Sequence, residues 1–243
     1  MFRKNIKTYA NSLYNNGAYK FSEFGNSTIL STSFAVSTLY LNNLSIQKID
    51  DTKKYLLSAL QEDGYFIDKN FDHKNNNSYH KNDYTIPQFT FFSLIALDIL
   101  GVNNISLKFM DHYLNINNLK SWFENLNWAT FWYESNKIMF MMYFLSYLIK
   151  YDFTRKDMAL ICMEECFNIL DKKQDKNTGF WGTDINNNNM MDGLAGAAHI
   201  YFFYDFYNKE IKYKDKIIDS LLSFHKDILI GSVEGGAGED RML

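Results

Sequence analysis

Gln174-Asp175-Lys176-Asn177-Thr178-Gly179-Phe180-Trp181 closes one amphipathic segment, and Gln61-Glu62-Asp63-Gly64-Tyr65-Phe66 closes an earlier one. In each, a glutamine leads to a glycine and then to an aromatic pair. Glycine accepts the positive φ of a tight turn after a helix end. The aromatic can then fold back over the helix, and the glutamine can serve carbonyls and amides left open there. A turn repeated in this form predicts a chain built from repeated helical pieces. The corresponding region near Trp122–Trp128 keeps the aromatics but lacks the glutamine and glycine.

Outward from these turns the period widens to the whole chain. Strongly apolar segments begin near Ser27, Asp83, Ser135 and Asp192, at nearly equal intervals. Ser and Asp are good helix N-caps because their side-chain oxygens accept the first orphan N–H groups. The segments that follow are apolar nearly all round, which predicts helices buried on every side. Between them the charges fall at helical spacing, as in Arg155, Asp157, Glu164 and Glu165 against Met158, Ile161, Cys162, Phe167 and Leu170. This predicts outer amphipathic helices at Ile46–Gln61, Ile105–Phe123, Arg155–Leu170 and Lys214–Lys226. The expected fold is all-α: four αα-hairpins, each with one buried and one outer helix, over residues 27–243. Residues 1–26 are expected to pack across the arc.

Composition narrows the function classes. Hydrophobic residues at 47% and charged residues at 22% fit a globular chain and exclude a disordered one. The formal net charge of −3 gives no basic surplus for nucleic acid. The apolar run Ile138–Ile149 falls short of the roughly 20 residues that a membrane span needs. The N-terminus lacks the apolar core of a signal peptide. Two cysteines in one short stretch do not make a disulfide framework. These features point to a soluble, cytoplasmic protein without a nucleic-acid partner or a membrane span.

The Gln–Gly–Trp/Phe turns resemble the QW-type motif of triterpene cyclases and the corresponding turns of protein prenyltransferase β-subunits. The resemblance covers nearly the whole chain as a periodic pattern. It implies the α/α toroid of the terpenoid-cyclase/prenyltransferase superfamily, with inner and outer helices around a cavity that takes an apolar, isoprenoid-like molecule. The reaction is not implied with it. The Asp-x-Asp-Asp acid of hopene-type cyclases is absent, and Asp50-Asp51 does not supply it. Neither the Asp, Cys, His zinc set of the prenyltransferases nor an aspartate-rich magnesium motif is found. Closed toroids of this superfamily usually have more pairs than four, so an incomplete or open arc is expected. A partner chain or self-association through the open edge would complete it. The segment Gly231–Asp240 sits where a fifth inner helix would start.

Candidate chemistry gathers at the starts of the inner helices. His199 can serve as a general base or a ligand, or as a hydrogen-bonded core histidine. Asp192 and Glu134 can act as cavity acids, and Asp192 equally as a cap. In a toroid, Asp83, Glu134, Asn136, Asp192 and His199 would converge at one end, as caps of successive repeats also would. Trp128, Trp132 and Tyr201 are candidates for lining a substrate site, since aromatic rings stabilise cations and stack on sugars. They are also candidates for packed core. Catalysis by Asp192, His199 and Glu134, with substrate contacts from Asp83, Asn136, Trp128, Trp132 and Tyr201, is therefore one expectation. A non-catalytic scaffold is a second, and a glycan-processing enzyme of lyase or epimerase type with a glycan substrate is a third. No cofactor is expected. Cys162 and Cys166 lie one helical turn apart and could form half a zinc site, but they read as buried hydrophobes. His73 and His80 lie in an Asn- and Lys-rich segment that reads as a solvated loop, as Asn186–Asn189 does.

Overall fold

The computed structural model describes residues 2–70, 82–182 and 190–223. The sequence readings of His73, His80, Asn186–Asn189 and Gly231–Asp240 lie outside these residues. The protein is all-α, mostly helical and nearly without strands. In chain order the elements are α1 (Phe2–Ser12), β1 (Tyr14–Asn15), β2 (Ala18–Tyr19), α2 (Ile29–Leu41), α3 (Ile49–Leu57), α4 (Asn82–Ile99), α5 (Met110–Tyr113), α6 (Ile116–Glu124), α7 (Phe131–Tyr151), α8 (Lys156–Lys173) and α9 (Met190–Phe206). A 3₁₀ turn, Trp128–Thr130, precedes α7, and residues 214–223 are helical. The described residues form two compact units. One takes Met1–Asn115 with Tyr143–Leu160, the other Ile116–Met142 with Ile161–Leu243.

In the first unit α2 and α4 pack on each other, and α3 lies against both. The N-terminal hairpin β1–β2 pairs Tyr14 with Tyr19, and Ala10, Tyr19 and Leu39 form a small core with it. Helix α2 is held at its start by a capping box of Thr28 and Ser31, just after the expected Ser27. Buried Asp68 adds a distant cap, its Oδ2 accepting the Ile29 N–H at 2.6 Å. One device occurs twice in this unit, once at each of its first two buried helices. The buried Tyr19 N–H donates to Thr32 Oγ1 at 3.0 Å, and the buried Phe66 N–H donates to Thr90 Oγ1 at 3.0 Å. Each threonine donates its own proton to the carbonyl one helical turn back, Thr28 O and Ile86 O. The non-helical segment before each of these helices is thereby tied to that helix by one hydroxyl.

The amphipathic helices differ from expectation in extent. The first is α3, which starts only at Ile49 because Lys48 adopts a left-handed φ of 42°. The second is broken: residues 103–106 are irregular, and α5 and α6 are separate helices. The break falls at Leu114 and Asn115, between α5 and α6, and asparagine is a residue type whose side chain can compete with helical backbone hydrogen bonds. The third is α8, which runs on to Lys173 past the expected end at Leu170, and 214–223 is the described part of the fourth.

The turns after α3 and α8 perform the same task. In the first, Gly64 has φ +95°, and a Cβ there would lie 2.3 Å from Ser106 O and 2.8 Å from Leu107 Cα. The Phe109 N–H donates to Asp63 O at 3.0 Å, fastening the turn to the start of α5. In the second, Gly179 has φ +76°, and a Cβ would lie 2.4 Å from Ile217 Cγ1 and 2.9 Å from Ile217 N. Gln174 Nε2 donates to Gly179 O at 2.8 Å and to Lys212 O at 3.1 Å, fastening that turn to the next amphipathic helix. Trp181 is fully buried, and its Nε1 donates to Leu170 O near the end of α8. Each unit thus contains a turn that follows one amphipathic helix and clasps the start of the next.

Full burial of the apolar helices is only partly realised. Phe34, Tyr40 and Leu41 on α2 and Met191, Phe202 and Phe206 on α9 are exposed. An apolar segment records that its sides carry little charge; it does not record that every side is covered. No helix among the described residues is long and apolar enough to cross a membrane.

Candidate functional site

The second unit brings together several of the predicted residues where α7 meets α9. Small residues allow this close approach. Gly196 lies against Phe131, so that a Cβ on it would fall 2.3 Å from Phe131 Cδ1, and a Cβ on Gly182 would fall 2.3 Å from Phe131 Cβ. Trp132 meets Asp192 and Ser135 meets His199, so the two helices run in the same direction.

Asp192 lies in the first turn of α9, which begins at Met190. Rather than capping its own helix, it accepts the Trp132 N–H of α7 through Oδ2 at 3.2 Å. That amide is one of the orphan donors of a helix N-terminus, so the carboxylate also meets the positive end of the α7 dipole. Ser135, expected to open the third inner helix, lies inside α7, which starts at Phe131. Its hydroxyl is fully buried and lies 2.8 Å from Trp132 O and 2.9 Å from His199 Nδ1. Burial lowers the His199 pKa below the ordinary imidazole value, which favours the neutral ring.

The other predicted residues have partners of their own. Glu134 is buried beside Lys137: Oε1 accepts a bond from Nζ at 3.4 Å, while Oε2 lies 3.3 Å from the same nitrogen without hydrogen-bond alignment. Asn136 Nδ2 donates to Trp132 O at 2.9 Å. Trp128 stacks on Phe131 and carries Lys173 Nζ 5.3 Å from its ring centre. Tyr201 donates its hydroxyl to Gly179 O at 3.0 Å and packs against Trp181, and burial raises its pKa. Trp132 is 52% exposed. Asp83 is exposed and belongs to the other unit, near the start of α4.

Cys162 and Cys166 are buried thiols. Desolvation raises both pKa values, Cys166 strongly, which disfavours the thiolate needed for metal binding or attack. Among the described residues no group of three or more His, Cys, Asp or Glu is placed to hold a metal ion. An open cleft of about 300 Å³ lies between α6 and α8, lined by Lys120, Phe123, Glu124, Glu165, Ile169, Lys172 and Lys173. None of the predicted residues lines it, and Lys120 and Glu165 pair across 3.2 Å within it.

The first unit holds a feature that the sequence reading did not single out. A line of aromatic rings crosses its buried helices. Phe21 contacts Phe34 at 5.9 Å between centroids, and Phe34 contacts Phe92 at 4.6 Å. Phe92 meets Phe91 at 4.9 Å, and Phe91 meets Tyr143 at 4.7 Å. Phe21 is 55% exposed and Phe34 is also exposed, whereas Phe91 is buried, so the line runs from surface to core. The clue was the set of aromatics within otherwise featureless apolar helices, which a count of hydrophobicity does not separate from core filling.

No known protein family, curated protein or solved structure matches the chain.

Proposed function

We propose that the chain is a terpenoid-cyclase/prenyltransferase-like α/α-toroid protein that binds an apolar, isoprenoid-like small molecule against the aromatic faces of its buried helices, with its reaction unassigned. The observation that carries this reading is the ring line Phe21–Phe34–Phe92–Phe91–Tyr143, open at the Phe21 and Phe34 end. Ring faces supply dispersion contact for an isoprenoid chain and negative potential for any cationic character along it. The parallel course of α7 and α9 and the repeated turn-to-helix clasps support the toroid part of the reading, since successive inner helices of hairpin repeats run the same way. Farnesol titrated into the protein and followed by calorimetry tests the proposal. Saturable binding that weakens at least tenfold in Phe34→Ala and Phe92→Ala is expected. Absence of saturable binding, or binding indifferent to both substitutions, contradicts it.

A second reading is a non-catalytic scaffold that docks a partner chain through an open edge. The observation in its favour is on α9, where Phe202 and the 71%-exposed Phe206 present apolar surface to solvent. Concentration-dependent self-association abolished by Phe206→Ser would support this reading, and a monomer at all concentrations would count against self-association through that surface.

A further inference from the structure

We infer that Ser135 is a positioning residue that holds His199 as its Nδ1–H tautomer, leaving the Nε2 lone pair as a proton acceptor for an O–H or N–H group of a ligand. The ground for this is the proton count around one buried hydroxyl, which is independent of the isoprenoid reading.

Ser135 Oγ is fully buried and has two close neighbours, Trp132 O at 2.8 Å and His199 Nδ1 at 2.9 Å. A hydroxyl carries one proton, and a backbone carbonyl can only accept. If the proton pointed to His199, the two oxygens of Ser135 and Trp132 would face each other in close contact with no hydrogen between them. In a buried site no water relieves that repulsion. The proton therefore lies toward Trp132 O, and Ser135 Oγ accepts from His199. That acceptance requires a hydrogen on Nδ1. Asn136 Nδ2 also donates to Trp132 O, which shares the carbonyl but does not change what the carbonyl can do.

A neutral imidazole with its hydrogen on Nδ1 has its lone pair on Nε2. Among the described residues, Ser135 is the only hydrogen-bond partner of the His199 ring, and the residue is half-buried. Asp192 lies two helical turns earlier on the same side of α9, where its carboxylate is engaged with α7. The arrangement separates two roles that a Ser–His contact could suggest. Ser135 is too deeply buried to be a nucleophile, and His199 is the group left to meet a ligand.

Long-range ¹H–¹⁵N correlation spectroscopy of the histidine side chains above pH 7 tests this directly. The wild-type protein should show His199 with a protonated Nδ1 and an unprotonated Nε2. In Ser135→Ala the tautomer ratio should move toward Nε2–H by about tenfold, the effect of one hydrogen bond. A wild-type Nε2–H tautomer overturns the inference, as does an unchanged ratio in Ser135→Ala. The wild-type spectrum decides by itself if the variant fails to fold. Diethylpyrocarbonate treatment mapped by mass spectrometry tests access to the nitrogen. Acylation of His199 in the native protein is expected, and a His199 that resists while exposed His112 reacts overturns the claim that Nε2 is open to ligands.

Discussion

The turns at 61–66 and 174–181 share a sequence skeleton and a position, yet they are fastened by different atoms. In the first, the clasp is main chain to main chain, Phe109 N–H to Asp63 O. Gln61 there is exposed, and its side chain reaches only the nearby Ala59 O. In the second, the Gln174 side chain is buried and donates to two carbonyls, Gly179 O within the turn and Lys212 O far along the chain. What the two turns share is the glycine, in a left-handed conformation and pressed against the next segment of chain. The glycine therefore makes the clasp possible, and the glutamine is an optional fastening whose worth depends on burial.

The largest effects should follow from filling the glycine positions. Gly64→Ala places a Cβ against backbone, which cannot move aside as a side chain can, and adds left-handed strain. Stability should fall by about 3 kcal/mol, read by urea denaturation. Gly179→Ala meets Ile217 Cγ1 as well as backbone and should cost somewhat less, about 2 kcal/mol. Equal and negligible effects would show that the close approaches are not required.

The glutamines should differ in the same assay. Gln174→Ala removes the side-chain donor from Lys212 O and leaves Gly179 O with the Tyr201 hydroxyl alone, and should cost about 2 kcal/mol. Gln61→Ala should change stability by under about 0.5 kcal/mol. A reversal of that order would break the comparison. Thr32→Val and Thr90→Val keep the side-chain shape but orphan the buried amides of Tyr19 and Phe66. Each should cost about 1–2 kcal/mol, with the two losses alike because the devices are alike.

The smallest expected effect concerns pH. Burial lowers the His199 pKa, so the folded state binds that proton less readily than the unfolded chain. The associated stability is present above the ordinary value near 6.5 and is lost as pH falls through it toward the lower folded value. His199→Gln should therefore lose less melting temperature than wild type between pH 7 and pH 5. Parallel loss in both proteins would remove His199 as a source of pH sensitivity.

How much of this was legible in the sequence follows from the range of each interaction. Helical spacing of charges against apolar residues located the amphipathic helices, because that signal lies within a few turns. The Gly and aromatic positions of the two turns were legible for the same reason. The Thr32 and Thr90 clasps were not, since a threonine in an apolar helix looks the same whether or not a distant amide seeks its oxygen. By sequence alone Ser135 and Asp192 read as helix caps. Their real partners, His199 and the Trp132 amide, lie on another helix far along the chain, and only tertiary packing brings them near. The exposure of Phe34, Phe202 and Phe206 was equally hidden, because sequence does not record what covers a face.

In both units the turn after one amphipathic helix presses a left-handed glycine against the start of the next, and residue-resolved amide hydrogen exchange tests that claim most directly. The amides of Gln61, Ile67 and Phe109 in one unit, and of Asp175 and Gly179 in the other, donate across or out of the turns. They should be protected at least about hundredfold relative to open chain, and Gly64→Ala should release Phe109 while leaving Asp175 and Gly179 protected. Exchange at open-chain rates in both turns of the native protein would contradict the claim.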